Sequence, residues 1–271
     1  MNGLKRKRQK RNKGTVNQSV IMDSYRDEVL VLQVNNWQTA DKKAVCYSRE
    51  HGKIVFMAYG ARYPKSVSGR LIQPFACLDA EFYPGNRLDK LKSCQLAVPM
   101  QQMGLEQMAY GFLMGEVTER LTEQGEPSGG IYMLLREALQ LLIKRNPRLA
   151  ALAYLIQLLD HCGIGPVYEV CVNCSRPAEG DGWFSEMQGG FICNACHAGR
   201  GNAEKLQLFH EGTRMLWKQL RLLNFADPEH FSVKGSTLME LEQILHRYLV
   251  YQTEQPIKSL DFIRQVSASK T

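Results

Sequence analysis

The sequence predicts an α+β multidomain chain: a small β-barrel at the N-terminus, an all-α domain after it, and a metal module inserted among the helices. Three observations carry that prediction. Short strand-like segments fill the stretch from Glu28 to Ala97, helical periodicity takes over after Pro99, and four of eight cysteines form two CxxC pairs. With 271 residues and 44% hydrophobic content, the chain is able to bury a sizeable core.

The first element is a basic tail, residues 1–14. "LKRKRQKRNK" from Leu4 runs into Lys13 and brings seven cations with no acid, so a solvated, disordered arm is expected there. Beyond it the charge is uneven: residues 14–100 hold 11 Lys and Arg against 8 Asp and Glu, whereas residues 101–271 hold 16 against 19. A basic front and an acidic rear point to a polyanion bound at the N-terminal end. From His51 to Leu78 there is no acid at all, and Lys53, Arg62, Lys65 and Arg70 share that window.

The barrel is expected over 15–98. "EVLVLQV", "AVCYSRE", "KIVFMAYG", "LIQPFACLDAEF" and "LDKLKSCQLA" are rich in β-branched and aromatic residues, and turn-rich segments separate them. Five short strands with no helix of note between them fit a barrel of the OB type. Such barrels hold single strands with a positive groove and aromatic stacking, and Trp37, Tyr47, Tyr59 and Tyr63 are near the basic residues in sequence. Alternation along the third segment turns Phe56 inward if Lys53 and Tyr59 face outward.

The helical domain is expected over 99–271. In "GGIYMLLREALQLLIKRN" the apolar residues Ile131, Leu134, Leu135, Ala138, Leu139 and Leu142 recur on one helical face. "NPRLAALAYLIQLLDHCG" reads as a second helix closed by Gly163, and "GTRMLWKQLRLLNF" and "TLMELEQILHRYLVYQ" continue the pattern. Thr237 with Glu240 suggests a capping box at the start of the last of these.

The zinc-ribbon-like module is expected over 168–200. Cys171 and Cys174 enclose two residues, Cys193 and Cys196 do the same, and 18 residues separate the pairs, a spacing that fits a zinc site. "GWFSEMQGGFIC" can form the hairpin that returns the second pair to the first. Four thiolates fill a tetrahedral Zn²⁺ and leave no open position, so one structural ion per chain is expected and His197 is not needed as a ligand. Cys46, Cys77, Cys94 and Cys162 lie in apolar patterns and read as small core residues.

Other classes find no support in the residues. The apolar run "LAALAYLIQLL" is too short to span a bilayer, and no signal-like h-region follows the basic N-terminus, so a cytosolic chain is expected. No His is followed at i+2 by Glu as a zinc deaminase needs, "HEGTR" lacks the second His of HExxH, and no GxxxxGK[ST] is present. The expectation is therefore a protein without enzymatic activity.

The stretch "REHGKIVFMAYGARYPKSVSGRLIQPF" from Arg49 resembles the RecO family of bacterial recombination mediators, in which a barrel strand leads into a G-A-R-x-P-K-S loop and then Q-P-F. The likeness extends to the order of barrel, helical domain and four-cysteine module. It implies a nucleoid-associated cytoplasmic protein that binds single- and double-stranded DNA, anneals complementary strands without ATP, and works with RecR and single-strand DNA-binding protein to help RecA load. The residues themselves, by the acid-free window and the nearby aromatics, make Arg62, Lys65, Arg70, Lys53 and Tyr63 the expected DNA contacts. In the first hairpin, "VNNWQTADKKAVC", the family's DNA contacts carry over only onto Lys42 and Lys43. The basic tail before Gly14 has no counterpart in that pattern. For the acidic tail of single-strand DNA-binding protein, the basic helix junction at Lys144, Arg145 and Arg148 is the candidate docking site.

Two other readings compete. One is a protein-only adaptor whose helical domain docks a partner peptide, and the other is an RNA-binding zinc-ribbon protein of the translation machinery.

Overall fold

In the computed structural model, residues 23–199, 205–228 and 232–268 are described; the basic tail expected over 1–14 lies outside them. Five strands close into a barrel: β1 (Tyr25–Trp37), β2 (Asp41–Ser48), β3 (Gly52–Ala58), β4 (Cys77–Tyr83) and β5 (Asp89–Leu96), in the order β1-β2-β3-β5-β4. β1 serves two neighbours. Its first half pairs with β4 from Tyr25 to Leu30, and its second half pairs with β2 up to Trp37, with a register shift between Val31 and Gln33. Such an irregularity bends the strand, which lets a few strands turn through a full circle. Val29, Val31, Ala44, Cys46, Ile54, Phe56, Leu78 and Phe82 fill the interior, so Phe56 faces inward as alternation predicts.

A short helix, α1 (Val67–Leu71), separates β3 from β4. This corrects the expected strand beginning at Leu71: Leu71 ends α1, and β4 starts only at Cys77. Between them Phe75 adopts a left-handed backbone, φ 68°, donates its N–H to Val31 O (2.8 Å), and packs its ring against Phe112 with centroids 5.1 Å apart. The Q-P-F motif is thus a joint between the barrel and the helices.

The helical domain consists of α2 (Leu105–Leu121), α3 (Gly129–Lys144), α4 (Pro147–His161), α6 (Glu211–Arg221), α7 (Gly235–Thr253) and α8 (Lys258–Ala268). α2 lies against the outer face of β1. Gly111 and Gly115 share one side of it: a methyl group at Gly115 would stand 3.2 Å from Leu32 O, so its absence permits a close backbone approach, and one at Gly111 would stand 2.9 Å from the Phe75 ring. α3 begins at the Ser128 cap and adds polar ties: the Tyr132 hydroxyl donates to Glu28 Oε1 (2.6 Å), and Arg136 pairs with the same carboxylate (3.0 Å). Burial, and then the Glu28 carboxylate, push the Tyr132 hydroxyl far above its ordinary pKa, so it stays a donor at neutral pH. α4 is buried nearly all round and ends before Gly163, whose φ of 72° is the left-handed stop expected of it.

The capping box at Thr237 is not formed. α7 begins earlier, at Gly235, and Glu240 instead accepts from the backbone N–H (2.9 Å) and Nδ1 (2.6 Å) of His210 at the start of α6. A capping pattern in sequence specifies a cap only if no stronger donor reaches the carboxylate. Of the four other cysteines, Cys46 and Cys77 are buried, and Cys94 and Cys162 are half-buried.

Candidate metal centre and nucleic-acid interface

Between α4 and α6 the chain forms a three-stranded sheet: β6 (Gly182–Ser185), β7 (Gly190–Ile192) and β8 (Gln207–Phe209), in the order β7-β6-β8. β6 and β7 are the expected hairpin. Its return brings the two CxxC pairs together: the first on a tight turn in which Ser175 N donates to Cys171 O (2.8 Å), the second at the start of the short helix α5 (Asn194–Ala198). The four sulfurs of Cys171, Cys174, Cys193 and Cys196 lie within 4.8 Å of one another. A tetrahedron with metal–sulfur bonds of roughly 2.3 Å has sulfur–sulfur edges of roughly 3.8 Å, and the Cys174 to Cys193 sulfur distance is 3.8 Å. The donor set therefore fits a tetrahedral thiophilic ion.

The electrostatics agree with that donor set. Burial raises the Cys171 thiol, but the N–H groups of Cys193, Cys174 and Asn173 outweigh it and bring it down to about 6. Cys196 is pushed up to about 12, first by hydrogen bonding to the Cys174 and Cys193 sulfurs. Without a cation, closely placed sulfurs compete for protons; a cation removes that competition. His197 is not part of the cluster; its ring stacks on Trp183 at 4.0 Å.

The module is fastened to the helical core by aromatic packing and by arginines of α6 and α7, Arg214, Arg221 and Arg247. Phe184 meets Phe209, Trp217 and Tyr248 with centroids 5.5, 6.3 and 5.6 Å apart. Arg214 on α6 donates to the carbonyls of Gly180 and Ala178 (2.5 and 2.9 Å) and lies over the Phe191 ring.

The second candidate site is the end of the barrel formed by the β1–β2 turn, α1 and the loop before it. The loop "GARYPKS" is tied to that turn by Arg62 N to Ala40 O (2.8 Å), Arg62 Nη1 to Gln38 O (2.8 Å), and Gly60 N to Asp41 Oδ1 (2.8 Å). Gly60 has φ 64°, and a side chain there would stand 3.3 Å from the Tyr63 ring. Arg62, Tyr63, Lys65 and Arg70 are all exposed on this framework, and Lys43 stands 5.8 Å over the half-exposed Trp37 ring.

Two expected DNA-contacting lysines have other work. Lys42 Nζ donates to the carbonyls of Gly69 (2.7 Å) and Ile72 (3.1 Å), holding α1 in place, and burial lowers its pKa. Lys53 Nζ donates to Glu119 O (2.7 Å) and Thr122 O at the C-terminal end of α2. Neither is brought to the loop surface. Tyr47 is fully buried beneath the helices, whereas Trp37, Tyr59 and Tyr63 are exposed.

The basic helix junction is also divided. Lys144 ends α3 and lines an apolar cavity of about 340 Å³ between barrel and helices, with Arg136 at the same rim. Arg145 lines a neighbouring cavity together with Lys144 and Arg136, and Arg148 pairs with Glu242 on α7, to which Tyr110 also donates (3.1 Å). Of the run Lys144, Arg145, Arg148, the first two therefore share a cavity and Arg148 is set apart by its carboxylate. Arg136 was missed because it reads as an ordinary exposed position of an amphipathic helix.

Comparison with known proteins follows these two regions. Residues 22–100 match the family model "Recombination protein O N terminal", and residues 104–261 match "Recombination protein O C terminal". The chain is 30% identical over 244 residues to the DNA repair protein RecO of Pelotomaculum thermopropionicum, covering 89% of this chain and 94% of that one. It is 26% identical over 249 residues to the Bacillus subtilis protein of the same name, covering 90% and 95%. It is also 26% identical over 247 residues to that of Moorella thermoacetica, covering 89% and 91%. With a closed barrel, a helical domain and a four-cysteine cluster in the expected order, the chain belongs to the RecO family of DNA repair and recombination proteins.

Proposed function

We propose that this chain is a recombination mediator that binds single- and double-stranded DNA, anneals complementary strands without ATP, and assists recombinase loading on single-stranded DNA. One observation carries the reading beyond family membership: Lys43 on β2, Arg62 and Lys65 on the loop pinned by hydrogen bonds, and Arg70 on α1 are gathered at one end of the barrel. A pinned cation loses less conformational freedom on meeting a phosphate than one on a disordered arm, so each contributes more. Lys42 and Lys53 support the site from beneath by fixing α1 and α2, and Tyr63 adds an aromatic face.

The metal in this reading is one Zn²⁺ per chain, held by Cys171, Cys174, Cys193 and Cys196. With all four positions taken by protein, the ion supplies folding energy and leaves no place for a substrate. The partners are RecR, the acidic tail of single-strand DNA-binding protein and, indirectly, RecA, and the setting is the bacterial cytoplasm at the nucleoid. An acidic, apolar-ended tail suits the apolar cavity lined by Lys144 and Arg136, with Lys144 as its cation, since Arg136 is held by Glu28 just as Arg148 at the junction is held by Glu242.

The test is Arg62→Glu combined with Lys65→Glu. Single-stranded DNA binding should weaken at least about tenfold, roughly 1.4 kcal/mol, and annealing should slow while metal and helical content stay normal. Wild-type binding and annealing at matched salt would remove the loop as the DNA site and favour the protein-only adaptor.

A further inference from the structure

The outer face of the β1–β2–β3 sheet is split into a covered and an open half. In the covered half, Leu30, Leu32, Val45 and Tyr47 join the core built by α2 and α3, and Lys53 is tied to the last carbonyls of α2. In the open half, Trp37 at the end of β1 is 46% exposed, and Tyr59 just after β3 is 62% exposed. Tyr63, on the pinned loop, is 63% exposed. Strand register brings these rings to the same end. Trp37 pairs with Asp41, Lys43 pairs with both Asn35 and Met57, and Tyr59 follows Met57 by two residues.

Single exposed aromatic side chains are common and need no explanation. Three at one end of one barrel, interleaved with Lys43, Arg62, Lys65 and Arg70, combine what a single strand requires: flat apolar faces for bases and cations for phosphates. The covered half sets a limit, since a strand crossing this face meets α2 and α3 before it has traversed the sheet.

We infer that the open half-face is a short stacking platform, on which the bases of about four nucleotides of unpaired strand lie against Trp37, Tyr59 and Tyr63. This rests on the DNA-binding reading above and specifies its ligand. A duplex keeps its base faces stacked inside and offers the platform only phosphates, so the rings select unpaired DNA. The short footprint leaves the bases on either side free to pair with a second strand.

The experiment follows the emission of Trp37 in the full chain. Trp217 is buried and Trp183 is stacked on His197, so the Trp37 signal is the difference between the chain and its Trp37→Phe variant. With thymidine oligonucleotides of increasing length at low salt, quenching should reach its plateau near about four nucleotides, the lower end for one barrel. A blunt duplex should give none. Trp37→Ala with Tyr63→Ala should weaken single-strand binding about tenfold, change duplex binding less than about twofold, and leave the salt dependence unaltered, because no cation is lost. Quenching that keeps growing beyond about ten nucleotides, or an equal loss on single strand and duplex, would overturn the platform. If the Arg62→Glu, Lys65→Glu protein loses binding and the aromatic variant does not, the platform falls and the DNA site stands. If neither loses binding, the DNA site itself is elsewhere.

Discussion

Gly69→Ala tests whether loop geometry, as distinct from loop charge, presents the cations. Gly69 lies within α1 with its Cα against the buried loop backbone: an added Cβ would stand 1.7 Å from Ala61 O and 2.7 Å from Ala61 C, where ordinary contact begins at 3.4 Å. The atoms in the way are backbone, so no side-chain rotation relieves the clash, and α1 and the loop have to separate. Three contacts oppose that movement: Ser66 Oγ accepts from Gly69 N (3.0 Å), and Lys42 donates to Gly69 O (2.7 Å) and Ile72 O (3.1 Å). Overpacking costs about 1–3 kcal/mol and each weakened hydrogen bond about 1 kcal/mol, so a loss of about 2–4 kcal/mol is expected. For a domain of the barrel's size that lowers the melting temperature by on the order of 10 °C. The substitution is neutral, yet it moves the backbone that carries Arg62, Lys65 and Arg70. Single-stranded DNA affinity at a temperature where the variant is folded should therefore fall several-fold. An unchanged melting temperature would refute the packing argument. A destabilised variant that binds DNA like wild type would show that the cations act through charge alone.

Replacing Cys171 or Cys193 with Ser should abolish binding of about one metal ion per chain and destabilise the helical domain while the barrel remains folded; metal analysis and domain-resolved melting read both effects. Arg214→Met leaves the Gly180 and Ala178 carbonyls without their donor, so stability should drop by about 2–3 kcal/mol, with faster proteolysis in the 176–181 loop as the readout. Hydrogen bonding to Glu240 raises the His210 pKa above its usual 6.5, so the pair stabilises the fold fully below the unfolded value, and that contribution is lost as pH rises through the folded value. Stability measured from about pH 5 to about pH 8 should therefore decline less steeply in Glu240→Gln than in wild type; because His210 is half-exposed the difference will be small. Thr237→Ala should be nearly silent, within about 0.5 kcal/mol, because Thr237 does not cap α7.

Local pattern and spacing determined much of this protein. Both CxxC pairs and the hairpin that unites them lie within one short stretch, so proximity in sequence becomes proximity in space without help from the rest of the chain. Segments such as α3, whose apolar residues repeat at helical spacing, and β3, which alternates, declare themselves because one face is buried and the other is not. Where the burial pattern is neither, the signal fades. α2 went unread because buried residues surround it and its glycines, useless for propensity, make its close approaches, Gly115 to β1 and Gly111 to the Phe75 ring. α8 also went unread, its place fixed by Glu116, which accepts from Lys258 N (3.0 Å) and Ser259 N (2.8 Å) more than 140 positions away. Charge shows the same division. The acid-free window was legible as composition, but only the tertiary structure separated Arg62, Lys65 and Arg70 on the surface from Lys42 and Lys53, whose ammonium groups are spent on carbonyls 27 to 69 residues distant. A lysine's sequence neighbours carry no information about which helix end will reach it, so its role as phosphate contact or internal clamp is settled by packing.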